Sequence, residues 1–437
     1  MRLDWLAGPG GPLRGGISVP GDKSVSHRAV MFAALAEGTT RIHGFLEGED
    51  TRATAAIFAQ LGVCIEAPSP SQRIVHGAGL HGLRAPAGDL DCGNSGTGMR
   101  LLAGLLAGQD FDSVLVGDTS LSRRPMRRVV DPLTAMGARI DTTPEGTAPL
   151  RVRGGQRLRG RDHELAVASA QVKSALLLAG LYAEGITRVR EPHPTRDYTE
   201  RMLRAFGADV REGGGWIALH PGRPLRSPGR VDVPGDFSSA GFFLVAASVV
   251  PGSDLLLRNV GLNPRRTGLL DTLREMGADI AVLHPRESGG DTVADLRVRH
   301  APLHGVDVPA HRVPDMIDEF PALFVAAALA DGVTRVSGAE ELRVKESDRI
   351  AVMARALAAL GADVEERPDG AVIRGGAPLR GGAVDSAGDH RCAMALAVAA
   401  QRAQGQVRIG DCANVATSFP DFAGLAVDTG FTLRVAG

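Results

Sequence analysis

The 437-residue sequence is 44% hydrophobic, 23% charged and 4% aromatic, an ordinary globular balance that excludes a disordered chain. At ~100–200 residues per domain it has room for two to four domains. Its 49 Lys and Arg against 50 Asp and Glu leave no global basic field to hold nucleic acid, and few aromatics are present to stack on bases.

The longest apolar runs, 240–250 and 320–330, fall short of the ~18 residues needed to span a bilayer. The opening Met1-Arg2-Leu3-Asp4-Trp5 has no apolar signal-peptide region. The four cysteines, Cys64, Cys92, Cys392 and Cys412, form no CxxC pair and have no histidine at zinc-ligand spacing. A soluble cytoplasmic protein with free thiols and no structural metal is expected.

Along the chain one signature repeats: an apolar helical stretch that closes on Gly and passes into a β-branched strand. It reads Gln60-Leu61-Gly62-Val63-Cys64-Ile65, Ala135-Met136-Gly137-Ala138-Arg139-Ile140 and Ala205-Phe206-Gly207-Ala208-Asp209-Val210. It returns at Gly277 and Gly361 and, more weakly, at Gly430. Glycine after a helix is the left-handed cap that turns the chain into the next strand. A second helix–Gly–strand signature surrounds Gly38, Gly185 and Gly332, with looser copies at Gly108, Gly252 and Gly405. Six βαβ-type units of roughly 70 residues follow, too many for one ordinary domain.

The first helix of each unit, at 29–35, 101–107, 175–181, 242–249, 322–329 and 393–400, is apolar all round and should be buried. The second, as at 51–61 and 271–276, is amphipathic. Two sets of three units is the economical arrangement. Val19-Pro20-Gly21-Asp22 recurs as Val233-Pro234-Gly235-Asp236, which marks two candidate hinges.

Directly before the six apolar helices stand unusual polar segments. They are Gly21-Asp22-Lys23-Ser24-Val25-Ser26-His27-Arg28, Gly93-Asn94-Ser95-Gly96-Thr97-Gly98, Ser169-Ala170-Gln171, Gly235-Asp236-Phe237-Ser238-Ser239, Asp318-Glu319 and Asp389-His390-Arg391. Each alone suits helix capping. Six in register suggest helix N-termini gathered to favour anions. Lys23, Arg28, Arg100, Arg123, Arg124, Lys173, Lys345, Arg349 and Arg391 would add positive charge. Asp22 between Gly21 and Lys23 argues against a Walker phosphate loop. In the charged run from Glu340 to Arg349, a helix would make Lys345 and Arg349 i,i+4 neighbours with Glu346 beside them. A carboxylate among cations suits general acid–base work.

These segments, with Arg124-Pro125-Met126 and Arg343-Val344-Lys345-Glu346-Ser347-Asp348-Arg349, resemble the 5-enolpyruvylshikimate-3-phosphate synthase family from end to end. The resemblance implies an α/β fold, a two-lobed inside-out barrel of six βαβαββ repeats, three per lobe. The lobes would be 21–234 and 1–20 plus 235–437, with the first strand swapped into the latter and the buried helix N-termini facing a cleft between them. It implies transfer of an enolpyruvyl group from phosphoenolpyruvate to the 5-hydroxyl of shikimate-3-phosphate, on the route to chorismate and aromatic amino acids.

By the same resemblance Lys23 stands between both substrates, and Ser24 with Arg28 holds the shikimate carboxylate. Ser169, Ala170, Gln171 and Arg196 lie around the shikimate phosphate and ring. Arg124, Arg349 and Arg391, with the Gly96 backbone, hold phosphoenolpyruvate, and Asn94 and Lys345 complete the binding set. Asp318 takes the proton of the attacking hydroxyl, while Glu346 and Lys23 handle protonation of the enol methylene. Glyphosate would occupy the phosphoenolpyruvate site. A monomer with no cofactor, no metal, no nucleic acid and no membrane partner is implied.

Three positions depart from the family pattern. Ala170 replaces a second serine, Arg196 stands where others carry a smaller hydroxyl residue, and Thr417 stands where others have lysine. The sister family acting on UDP-N-acetylglucosamine pairs its N-terminal lysine with asparagine and carries a loop cysteine. Here Ser24 follows Lys23 and the 115–124 loop has no cysteine. A non-catalytic anion-binding scaffold would have no use for Asp318 and Glu346 together.

Overall fold

Local sequence dictates two kinds of helix, and they alternate along the chain. A computed structural model describes residues 3–288 and 291–436. In chain order the helices are α1 (Lys23–Leu35), α2 (Glu49–Gln60), α3 (Gly96–Leu106), α4 (Arg127–Ala135), α5 (Ala170–Gly180) and α6 (Tyr198–Ala205). They continue as α7 (Phe237–Val249), α8 (Gly268–Glu275), α9 (Phe320–Leu329), α10 (Arg349–Ala359), α11 (His390–Ala400) and α12 (Phe422–Thr429). The odd-numbered helices are the apolar ones; every residue of α7 and of α11 is buried. The even-numbered ones bury a stripe, as α2 does with Asp50, Thr51, Thr54, Ile57 and Phe58.

The chain divides into two compact units, Gly21–Val233 and Met1–Pro20 with Pro234–Gly437. Each carries three small sheets. A typical repeat is strand Leu90–Asp91, α3, strand Ser113–Val116, α4, then strands Arg139–Asp141 and Leu150–Arg153. The first two strands pair in parallel and the remainder antiparallel. This is the βαβαββ order, and the fold is mixed α/β. The six glycines that close the second helices have φ between +89° and +120°, a region costly for any residue with a Cβ. Gly108 differs from the other looser copies. It is not among the glycines with positive φ, and a Cβ there would lie 2.3 Å from the Tyr182 ring, so close packing requires the glycine.

Two strands are exchanged. Arg14–Ile17, which precedes α1, pairs in parallel with Asp254–Gly261 after α7. Arg230–Asp232, which precedes α7, pairs in parallel with Glu37–His43 after α1. Both exchanged strands lead into a Val-Pro-Gly-Asp segment. The N-terminal strand Asp4–Gly8 inserts between Gln404–Gly410 and Thr432–Ala436, and its Trp5 stacks on Phe422 at 5.5 Å.

In the unit Gly21–Val233 the backbones of α3 and α5 touch. A Cβ on Gly104 would lie 2.1 Å from the Ala175 carbonyl oxygen. In the other unit Phe243, Phe419, Phe422 and Phe431 form a ring cluster between helices and sheet, and helices α7, α9 and α11 pack on one another within its core.

The apolar helices begin earlier than the hydrophobic pattern suggests. Except at α9, which starts at Phe320 just past Asp318-Glu319, each helix starts within a polar segment, because that segment supplies the cap. Asp22 accepts from Val25 N, Ser95 from Gly98 N, Ser169 from Val172 N, Asp236 from Ser238 N and Asp389 from Arg391 N. Such caps contribute about 1 kcal/mol each. Glu319, at the same position before α9, makes no cap bond.

Candidate active site

In the unit Gly21–Val233 the polar residues gather at the first turns of α1, α3 and α5. Lys23 Nζ lies 2.7 Å from Asp50 Oδ2 of α2, and both are largely buried. Behind it His27, fully buried, contacts Thr54 Oγ1 at 2.8 Å and Ser95 Oγ at 3.4 Å. Burial, then the charges of Lys23 and Arg28, hold the imidazole well below the ordinary histidine range. Arg28 is buried and donates to Thr199 Oγ1 at 2.7 Å, Ser174 Oγ at 2.8 Å and the Ser24 carbonyl at 3.0 Å. Desolvation lowers it to about 10, and the nearby Arg196 guanidinium pushes in the same direction while Glu200 opposes.

A second network joins α3 to α5. Arg124 donates to Asn94 Oδ1 at 2.7 Å, while Asn94 Nδ2 donates to Asp118 at 2.6 Å. Arg100 donates to Gln171 Oε1 at 2.7 Å, and Gln171 donates to Thr97 Oγ1 at 2.9 Å. Gly96 lies beneath both guanidiniums; a Cβ there would be 3.0 Å from the NH1 atoms of Arg100 and Arg124. Ser169 caps α5, and Ala170 is its first residue.

In the other unit three carboxylates converge on one guanidinium. Arg349, 1% exposed, lies 3.2 Å from Asp318 and 2.9 Å from Asp389, and also pairs with Glu346. Burial opposes its charge, but Asp389, Glu346 and Asp318 together raise its pKa well above the usual arginine value. Arg391 approaches Asp318 Oδ1 at 3.8 Å, and Arg266 approaches Oδ2 at 3.7 Å. Arg266 also bonds Asp236 at 3.1 Å and Ser238 Oγ at 2.7 Å. Glu319 accepts from Ser238 Oγ, and its burial raises its pKa.

Two readings of the sequence change. Lys345 and Arg349 do not share a helix: Lys345 ends a 3₁₀ turn over Glu340–Val344, Asp348 caps α10, and α10 begins at Arg349. Lys345 instead lies 3.8 Å from Glu341. Ser347 and Asp348 favour a cap over helix continuation, and the cap separates the two cations. Lys173 offers no charge to a substrate, because Glu191 and Glu200 each hold its ammonium at 2.8 Å with all three side chains buried. Thr417 is buried with its hydroxyl donating to the Asn414 carbonyl at 2.7 Å, so no cationic contact is restored there.

Arg266, Asp236, Ser238 and Asp389 were not singled out as site residues from sequence. Three of them, Asp236, Ser238 and Asp389, stand in the helix-opening segments, and the two aspartates are legible there as caps. Arg266 lies in Asn263-Pro264-Arg265-Arg266, where nothing local separates it from a surface arginine.

Chemically, the first unit presents several guanidiniums and helix N-termini suited to phosphate and carboxylate groups. The second places two partly exposed carboxylates, Asp318 and Glu346, on a single buried arginine, an arrangement suited to proton transfer.

Residues 8–425 match the model of the EPSP synthase family, 3-phosphoshikimate 1-carboxyvinyltransferase. The chain is 66% identical over 429 residues to the 3-phosphoshikimate 1-carboxyvinyltransferase of Xanthomonas campestris pv. campestris, covering 98% of each chain. It is 65% identical over 433 residues to that of Xanthomonas axonopodis pv. citri, covering 99% of this chain and 98% of the relative. Its structure is similar to that of EPSP synthase from Acinetobacter baumannii, with a TM-score of 0.89, 50% identity and full coverage of both chains. The enolpyruvyl transferase NikO from Streptomyces tendae shares the fold at 20% identity, with a TM-score of 0.80 over 100% of this chain and 99% of that one.

Proposed function

The chain belongs to the EPSP synthase family, and from that premise we propose how its residues transfer the enolpyruvyl group of phosphoenolpyruvate to the 5-hydroxyl of shikimate-3-phosphate. The observation that carries the scheme is Arg349 holding Asp318 and Glu346 together.

Glu346 or Lys23 delivers a proton to the methylene carbon of phosphoenolpyruvate, which leaves an oxocarbenium-like carbon bearing the phosphate ester. The 5-hydroxyl oxygen attacks that carbon as Asp318 accepts its proton. A tetrahedral adduct results. It breaks its carbon–oxygen bond to phosphate while the new methyl group returns a proton to the enzyme, and the vinyl double bond reforms. Electrostatic stabilisation of the anions falls to Arg124, Arg349 and Arg391 on phosphoenolpyruvate, with Asn94 and Lys345 in support. Ser24 and Arg28 take the shikimate carboxylate. Ser169, Gln171 and Arg196, with the backbone at Ala170, surround the shikimate phosphate and ring. Arg196 supplies charge that a second hydroxyl at position 170 would not.

The protein works in the cytoplasm as a monomer, and glyphosate competes with phosphoenolpyruvate over Gly96. No helix among the described residues is long and apolar enough to cross a membrane. Incubation with shikimate-3-phosphate and phosphoenolpyruvate should release one phosphate per enolpyruvyl ether formed. Phosphate release without the ether, or neither product, would refute the scheme.

A further inference from the structure

The scheme leaves one group of buried charges unused: Lys173 on α5, Glu200 on α6, and Glu191 just after strand Thr187–Arg190. All three side chains are at most 3% exposed. An ammonium has three protons, and Lys173 Nζ faces three acceptors, Glu191 Oε2 and Glu200 Oε1 at 2.8 Å and the Thr195 carbonyl at 3.4 Å.

Glu191 does more than neutralise this lysine. Its Oε1 accepts from Ser169 N at 3.2 Å and from Thr195 Oγ1, while Oε2 accepts from Thr195 N at 3.2 Å. One carboxylate thereby ties the N-cap of α5 to the residue preceding Arg196. A buried ion pair is weak evidence for stability, since well-packed apolar residues often serve as well. Its charge-assisted bonds do fix geometry. The position of Arg196 matters, because its positive charge bears on the buried Arg28 guanidinium and disfavours its charge.

We propose that the Lys173–Glu191 pair is a positioning device that sets affinity for the shikimate phosphate, by holding Ser169 and the Thr195–Arg196 segment in place. The inference rests on the substrate reading given above. Glu191 and Lys173 act through Ser169 and Arg196 and touch no substrate themselves.

Glu191→Gln keeps size but cannot accept all the bonds that the carboxylate does. It should raise KM for shikimate-3-phosphate about 10–100-fold, the range for losing a hydrogen bond to a charged group. KM for phosphoenolpyruvate and kcat at saturation should stay within about threefold. By calorimetry the variant should lose affinity for shikimate-3-phosphate far more than for unphosphorylated shikimate. In an Arg196→Ala background the same substitution should cost clearly less than it does in the parent, since the part of its effect that runs through Arg196 is already lost. Equal losses for both shikimates, parallel changes in both KM values, or full additivity with Arg196→Ala would overturn the proposal.

If Glu191→Gln does not fold, Thr195→Val removes one hydroxyl bond and keeps the backbone N–H. It should raise KM for shikimate-3-phosphate about threefold to tenfold, and no change would count against the device. Hydrogen exchange separates the two layers of the argument. The Ser169 and Thr195 amides should exchange faster in Glu191→Gln than in the unaltered protein whatever the substrate is. If the unaltered protein bound neither shikimate, the substrate reading would fall; unchanged amide exchange would sink the positioning role by itself.

Discussion

Arg349 donates from Nε to Oδ2 of Asp389 at 2.9 Å, and the other oxygen of the same carboxylate caps α11 through the Arg391 and Cys392 backbone. The carboxylate that starts a helix thus also anchors the guanidinium that gathers Asp318 and Glu346. Helix capping and site geometry share one side chain.

Asp389→Ala should therefore cost more than a lost cap. It removes a cap of about 1 kcal/mol and leaves Arg349 buried with one carboxylate fewer, for which breaking buried pairs suggests about 3–5 kcal/mol. Asp389→Asn keeps an acceptor for the cap and should recover part of the loss. Urea unfolding of both variants checks the order; equal midpoints would mean that Asp389 only caps the helix.

Asp318 is held between Arg349, Arg391 and Arg266 and is only 16% exposed. Asp318→Asn should preserve the fold and much of the substrate binding while lowering turnover about 10²-fold or more, the usual scale for a lost general base. Steady-state phosphate release gives the number. Near-normal turnover would remove Asp318 from the chemistry.

Gly96→Ala places a methyl group 3.0 Å from the guanidinium nitrogens of Arg100 and Arg124. Both are the far ends of flexible side chains, so a shift of a few tenths of an ångström accommodates it and the fold should survive. Phosphoenolpyruvate KM should rise several-fold as Arg124 moves. If glyphosate takes the same place, as proposed, its longer chain should make it lose more. Equal weakening of the two ligands would reduce Gly96 to a packing glycine.

His27 gives the stability a definite pH dependence. Burial and the charges of Lys23 and Arg28 depress its folded pKa, so below the ordinary histidine value of about 6.5 the unfolded chain binds more protons. Its contribution is complete above that pH and is lost as pH falls through the depressed folded value. His27→Gln should flatten the dependence of the urea midpoint between about pH 6.5 and 5. Identical slopes in variant and parent would contradict a neutral buried His27.

The scheme assigns all neutralisation of substrate charge to arginine, lysine and backbone groups. Exhaustive chelation should leave phosphate release unchanged. Loss of activity that a divalent cation restores would show that these groups are not sufficient.

Much of this protein is written in short stretches of chain. The helix–Gly–strand signature is local: a short helix that buries one apolar stripe, a glycine able to take positive φ, then β-branched residues. Gly62, Gly137, Gly207, Gly277, Gly361 and Gly430 all behave as that pattern requires. The capping aspartates and serines are equally local, so five of the six helix starts could be read from Asp22, Ser95, Ser169, Asp236 and Asp389. Asp318, Glu346, Lys23 and the arginines were legible as chemistry only because they stand in these motifs.

What tertiary structure decided is which charge meets which. Lys173 looks like Lys23 from its neighbours in sequence, yet Lys173 lies buried between Glu191 and Glu200 while Lys23 faces Asp50 at a helix N-terminus. Arg266 reaches Asp318 across 52 positions of chain, and Arg349 reaches Asp389 across 40. The exchange of Arg14–Ile17 for Arg230–Asp232 likewise has no local cause, since either strand could complete either sheet by hydrogen bonding alone. Helix, cap and turn energies depend on neighbours within a few residues. Ion pairing and strand exchange depend on groups brought close only when the chain has packed, and so they belong to the fold.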